Sequence, residues 1–268
     1  MSSESTIKSY TAKYNKLKDL GEFDDNYINN EQLSVIKFIK SYYTNINTQN
    51  AVVSSLLYFT DKDEVYYNYF KELKKQIDVL KNQQKLPENK IINYKQWPEY
   101  VNMFNEALKN NMPIDDLIIM AVYTLIAPVR LDYSNMIIIK DLRMAKGIDT
   151  NYCLLRKTKP VFIFRAYKTA SSKGEVIINI PKQLALLLEK LRLSGRKVVY
   201  DGNDNLLSKR ISHLFNGSSL NILRHSYIDF KYKNDLSIIQ KEHLAHDMMN
   251  SPFVQEQYRT INNTVVED

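Results

Sequence analysis

Six residues in the second half of the chain have side chains suited to one kind of chemistry: Arg130, Lys168, Asn221, Arg224, His246 and Tyr258. Cleavage of a phosphodiester without a metal is a chemistry that such side chains could perform together. A phenolic oxygen can attack phosphorus and form a covalent 3′-phosphotyrosine, dividing one hard step into two reversible ones. The transition state gathers charge on its non-bridging oxygens, which two guanidiniums can clamp through paired, planar hydrogen bonds. The departing 5′-oxygen is a poor leaving group and needs a proton, which a lysine at a mobile tip can deliver. An imidazole can donate to a phosphate oxygen or handle the nucleophile's proton. The energy of the broken bond stays in the phosphotyrosine, so rejoining needs no ATP.

Taken singly, each residue has a plainer reading. Arg130 follows Pro128, just past the apolar run Leu117 to Ile126. It reads as a surface ion-pair former or as a ligand held at a rigid corner. Lys168 lies in the connection Tyr167-Lys168-Thr169-Ala170-Ser171-Ser172-Lys173-Gly174, where most lysines are soluble tips, and Lys173 rivals it there. Asn221 and Arg224 are three apart, so they leave one helical face a turn apart. His225 next to them reads as structural. His246 reads as a helix cap or surface residue, with His243 as a packing competitor. Tyr258 shares a helical face with Val254 and Ile261, and as one of 19 tyrosines it reads as core.

The order of these residues, however, resembles the tyrosine recombinase (phage integrase) family. The segments that carry the resemblance are Ala127-Pro128-Val129-Arg130-Leu131, Ala166-Tyr167-Lys168-Thr169, Asn221-Ile222-Leu223-Arg224-His225, Leu244-Ala245-His246 and Gln257-Tyr258-Arg259. It covers the C-terminal half well and the N-terminal part in outline. It implies Tyr258 as nucleophile, Arg130 and Arg224 on the scissile phosphate, Lys168 as proton donor, and His246 and Asn221 as assistants. The chain departs from the family in three places. Asn221 stands where the family usually has His, sometimes Lys, and Asn carries no charge. Ala245 replaces a Gly, and the gap from His246 to Tyr258 is long. The implied partner is double-stranded DNA, bound by a homo-oligomer that is a dimer per site and a tetramer in synapsis. No cofactor, metal, membrane or small-molecule substrate is implied. A type IB topoisomerase or telomere resolvase would share the chemistry. A catalytically silent DNA-binding relative is the reading that Asn221 supports. A metal-dependent nuclease needs converging carboxylates, and Asp132, Asp141 and Asp149 are scattered.

The elements that must position these residues give an expected fold class of mainly α with a small antiparallel β-sheet (α+β), which the resemblance would arrange as a two-lobed DNA clamp. The resemblance implies that residues 1–85 are the helical core-binding domain, 86–96 the linker and 97–268 the catalytic domain. In the first domain Leu33, Ile36, Ile39 and Tyr43 share one helical face. Val52, Val53, Leu56 and Leu57 mark a second helix, with Thr48 as its N-cap. Tyr66, Phe70, Leu73, Ile77 and Leu80 form a third apolar stripe. Lys37, Lys40, Lys71, Lys74 and Lys75 lie on the polar faces, either as a solvated surface or as a phosphate-tracking one. Asp115 and Asp116 read as helix-start acids rather than as metal ligands. Four short β-branched or aromatic runs follow, at 136–139, 152–155, 161–164 and 176–180. Leu236, Ile239 and His243 share a face of a late helix.

Composition bounds the rest. With 37 Lys and Arg against 30 Asp and Glu, the net charge of +7 favours an anionic partner without selecting DNA, RNA or acidic lipid. The single Cys153 excludes an intrachain disulfide and a Cys-based zinc site. It fits a strand residue in a reducing intracellular compartment, cytoplasm or nucleus. The six glycines form no phosphate-cradling loop. No signal-peptide pattern opens the chain.

Overall fold

The computed structural model describes residues 4–82, 92–233 and 235–258. Of the linker expected over 86–96, residues 86–91 lie outside the described residues. The chain forms two compact units, Met1–Gln83 and Gln84–Asp268.

The first unit is helical among the described residues: α1 (Glu4–Gly21), α2 (Asp25–Asn30), α3 (Gln32–Tyr42), α4 (Ile46–Phe59) and α5 (Glu64–Asn82). Its core is built from the apolar stripes, with Leu17, Ile28, Val35, Ile39, Val53, Leu56 and Tyr66 fully buried. The Tyr66 hydroxyl donates to the Ile28 carbonyl at 2.7 Å, which joins α5 to α2. Two expectations need correcting. The side chain of Asn45, not Thr48, caps α4, accepting from the amides of Asn47 and Thr48. Asn45 is the better cap because its oxygen reaches the first free amides of the turn. The buried stripe of α5 stops at Ile77, and Leu80 is 51% exposed.

The second unit opens with α6 (Trp97–Lys109), started by a Gln96/Glu99 capping box and a proline in its first turn. Helix α7 (Ile114–Thr124) is buried from Asp116 onward and packs against α6 and the later helix Lys182–Leu193. Asp116 at its start is buried and takes both Nε and Nη2 of Arg210, at 2.7 and 2.5 Å. The reading of Asp115 and Asp116 as helix-start acids therefore gains an ion pair in which the carboxylate is buried and the guanidinium half-exposed.

The sheet has strands β1 (Ile137–Ile139), β2 (Tyr152–Leu154), β3 (Val161–Phe164) and β4 (Val176–Asn179), in the order β1-β2-β3-β4. The expectation of an antiparallel sheet is corrected. β2, β3 and β4 pair antiparallel, but β1 and β2 pair parallel, so the sheet is mixed. The connection from Lys140 to Asn151, with a 3-10 turn at Leu142–Ala145, is long enough to carry the chain back to the start of the sheet. Extended residues 197–200 bond to the other edge of β1.

The β3–β4 connection holds a short helix, α8 (Ala170–Lys173), and α9 (Lys182–Leu193) and α10 (Asp204–Leu214) follow β4. The last three helices are α11 (Leu220–Tyr232), α12 (Ile238–Asp247) and α13 (Pro252–Tyr258). Of the face expected for α12, Leu236 packs just before the helix, but Ile239 is 64% exposed and His243 is also exposed, while Leu244 and Ala245 are buried. The fold class is thus mainly helical α+β. No helix among the described residues is long and apolar enough to cross a membrane.

Candidate functional site

The segment 128–132 is pinned at alternate carbonyls. Pro128 O accepts from Arg224 Nη1 at 2.7 Å, Arg130 O from the Tyr123 hydroxyl at 2.9 Å, and Asp132 O from Asn151 Nδ2 at 3.1 Å. Tyr123 sits on the buried helix α7, so Arg130 stands at a corner fixed from below. Proline ends the preceding run because it lacks an amide donor.

Arg224 lies on α11, which Ser219 caps by accepting from the Ile222 amide at 3.4 Å. Its side chain is fully buried. Asn221, one turn earlier on the same face, is exposed. The two residues therefore present different depths of one helical face.

Helix α12 ends in a turn that gathers the cations. The Met249 amide donates to His246 O and the Asn250 amide to Ala245 O, both at 2.9 Å, and Met249 has φ +51°. This is the two-bond helix stop that usually places Gly in the left-handed position. A side chain there costs about 1–2 kcal/mol, which burial of Met249 in the main core offsets. The reversal exposes three successive carbonyls to three cations. Met248 O accepts from Arg224 Nη2 at 3.5 Å, Met249 O from Arg130 Nη1 at 3.4 Å, and Asn250 O from Lys173 Nζ. The two arginines, 94 positions apart in the chain, thus meet at one turn.

A cleft of about 570 Å³ shares Arg130 with this turn, although residues 248–250 do not line it. Arg130, Lys168 and Asn221 line it, with Asp132 and Asp204. A smaller hollow of about 290 Å³ holds His246, Lys173, Glu242 and Asn250. Of the six residues singled out in the sequence, Arg130, Lys168 and Asn221 therefore share the cleft. Arg224 does not line the cleft and is held against the turn. His246 faces the hollow, exposed, with Nδ1 3.3 Å from Asp247 Oδ1. Tyr258 ends α13, and its side chain lies outside the described residues, as does Ile261.

Several site residues escaped the sequence reading. Lys173, named there only as the rival of Lys168, is the lysine that reaches the arginine turn. Burial lowers the pKa of its ammonium, and Arg130 adds to the effect. Asn250 is 3% exposed, and neither of its amide atoms has a hydrogen-bond partner among the described residues.

Asp132 faces both arginines. Burial pushes its carboxyl up to about 6, while Arg130 and Arg224 pull it down and Asp204 raises it further. Between the unfolded value near 4 and about 6, the folded protein binds the extra proton. Stability therefore falls as pH rises through that window, and the loss persists above it. Asp132→Asn is expected to remove this dependence. The variant should equal the wild type below about pH 4 and exceed it at pH 7.5 by at most about 3 kcal/mol. Urea midpoints measured across pH 4 to 8 check this, and parallel curves would exclude Asp132 as the titrating group.

Among the described residues, no group of three or more His, Cys, Asp or Glu is placed to hold a metal ion. No protein-family model, curated protein or solved structure matches the chain.

Proposed function

We propose that the chain is a DNA strand transferase of the tyrosine recombinase type, cutting and rejoining duplex DNA through a covalent 3′-phosphotyrosine. The observation that carries this reading is the convergence of Arg130, Arg224 and Lys173 on three successive carbonyls of one turn, with Arg130 also lining the cleft that holds Lys168 and Asn221. Carbonyl oxygens are the acceptors that the oxygens of a phosphate would replace. Arg130 and Arg224 then clamp the non-bridging oxygens, Asn221 adds a neutral donor at the cleft wall, and His246 assists from the hollow. Tyr258 is the nucleophile. Lys173 is the better placed of the two lysines to protonate the leaving oxygen, because its ammonium reaches the same turn as Arg130 and Arg224.

The charge distribution supports a division of labour between the units. Residues 1–83 contain eleven lysines against eleven Asp and Glu, so the whole excess of +7 lies in residues 84–268. The first unit would contribute local surfaces rather than net charge. On it Lys40, Lys71 and Lys74 lie over the rings of Tyr69, Tyr67 and Phe70 at 4.7, 4.2 and 5.2 Å. Closure of the two units around duplex DNA, with a dimer at each site and a tetramer in synapsis, completes the proposal.

The test is covalent capture. The full chain is incubated with a library of nicked, randomised duplexes in the presence of a chelator, and protein-linked DNA is recovered from a denaturing gel and sequenced. Adducts with common flanking sequence support the reading; duplex binding without any adduct sinks it. That second result would establish the silent DNA-binding relative, the reading favoured by Asn221 and the burial of Arg224.

The lysines are separated by a second measurement. Lys173→Ala is expected to slow adduct formation by about 10²–10⁴-fold, and Lys168→Ala by far less. A substrate with sulfur at the 5′-bridging position needs no proton on leaving and should restore the Lys173→Ala rate. Rescue of Lys168→Ala instead would reassign the proton donor.

A further inference from the structure

We infer that Asn151 is the positioning residue that fixes the Arg130 side of the cleft against the Lys168 side, an inference that rests on the strand-transfer reading for its catalytic consequence. Asn151 immediately precedes β2 and is 8% exposed. Its side-chain amide uses four hydrogen bonds. Nδ2 donates to Asp132 O at 3.1 Å and to Ala166 O at 2.9 Å. Oδ1 accepts from the amides of Arg165 and Ala166, both at 2.9 Å. One planar group thus ties the loop that carries Arg130 to the loop that carries Lys168. No strand pairing does this, because β3 ends at Phe164 and Arg130 precedes β1 by several residues.

The chemistry of the group explains the residue type. Two carbonyls and two amides must be met from one point, and a primary amide offers two donors and two acceptor lone pairs in one plane. Ser cannot supply two donors, and Asp supplies acceptors only. Asn151 itself lines the cleft, and a flat amide with every bond used contributes little affinity of its own. Its effect is on separation: with the tie intact, the guanidinium of Arg130 and the loop of Lys168 and Lys173 keep a fixed spacing. A misplacement near 1 Å between groups that act on one phosphate costs about 10²-fold in rate.

Two variants test this in the full chain. Asn151→Ala removes all four bonds. Asn151→Asp keeps an acceptor for the Arg165 and Ala166 amides but sets a carboxylate against the carbonyls of Asp132 and Ala166. Three quantities are read: duplex affinity by fluorescence anisotropy, single-turnover adduct rate at saturating nicked duplex, and amide hydrogen exchange. Both variants are expected to bind duplex within about twofold of wild type and to form adduct about 10- to 100-fold more slowly. The Arg165 and Ala166 amides should exchange faster in Asn151→Ala and stay protected in Asn151→Asp, while residues 131–134 loosen in both. A residue that served only stability would lower affinity and rate together, in proportion to lost melting temperature.

Wild-type adduct rates in both variants would overturn the positioning role. If the wild type itself forms no adduct, the strand-transfer reading fails and the exchange pattern decides the tie. Loosening at 131–134 and 165–166 together in Asn151→Ala supports the tie, and unchanged exchange refutes it.

Discussion

Arg224→Ala is expected to cost about 3–5 kcal/mol of folding stability, the usual effect of breaking a buried charged group away from its partners. The side chain is fully buried and braces Pro128 O and Met248 O, so truncation leaves carbonyls of two separate segments without this donor. It also withdraws one of the two positive charges facing Asp132, whose carboxyl is already raised by burial. Arg224→Lys separates the two roles of the residue. Lysine keeps the charge but is a point donor, unable to hold two acceptors in the planar fork that the guanidinium offers. It is expected to recover part of the stability while adduct formation stays depressed by at least about 100-fold. Urea unfolding and covalent capture on the same preparations read both effects. A wild-type adduct rate in Arg224→Lys would mean that the buried arginine braces the fold and never meets the phosphate. A stability loss under about 1 kcal/mol in Arg224→Ala would mean that the brace itself is misassigned.

Much of this architecture is written locally in the chain, and the part that is not has identifiable causes. The strands at 137–139, 152–154, 161–164 and 176–179 coincide with short β-branched or aromatic runs, because those side chains fit a pleated, buried surface. The start of α13 follows from Ser251-Pro252, and the Ser251 hydroxyl does accept from the Val254 amide at 3.3 Å. The parallel pairing of β1 with β2 could not be read, since a twelve-residue connection permits either direction until tertiary packing chooses. The Asn45 cap is not legible because Asn45 and Thr48 are both residue types that cap helices; the exposure of Ile239 and His243 is not, because periodicity says which residues align, not which alignment the core accepts. At the site, Arg130 and Arg224 carry a recognisable order and setting. The turn at 248–250 that gathers them acts through backbone carbonyls, which leave no mark on residue type. A glycine at the left-handed position would have signalled it; Met249 hides it. A lone Asn before a strand, such as Asn151, has no pattern, and Asp132 reads only as one of several scattered carboxylates. Only the fold shows what each one joins.

Tyr258→Phe is expected to abolish the covalent adduct, a loss of at least about 10³-fold, while duplex affinity stays within about twofold. Phenylalanine keeps the ring and removes only the oxygen that would attack phosphorus. The helix that ends at Tyr258 is anchored one turn earlier, where Gln255 is fully buried. Gln255 Nε2 lies 3.6 Å from the Met248 sulfur, and its Oε1 accepts from the Tyr232 hydroxyl at 3.2 Å. Lys241 pairs with Glu256 at 3.1 Å, tying α13 to α12. Loss of the Tyr258 hydroxyl is therefore expected to leave α13 in place, and unfolding midpoints should differ little between variant and wild type. Tyr232 supplies the control. Its hydroxyl is engaged with Gln255 on α13, so Tyr232→Phe should weaken the seat of α13 slightly and still give adduct. An unchanged adduct in Tyr258→Phe removes Tyr258 from the nucleophile's role, and peptide mapping of the trapped species then identifies the phenol that does the work. If Tyr232→Phe is the variant that loses the adduct, the nucleophile lies on α11, eight residues after Arg224. The carbonyl turn would still mark the phosphate site, but the family resemblance would no longer describe its chemistry.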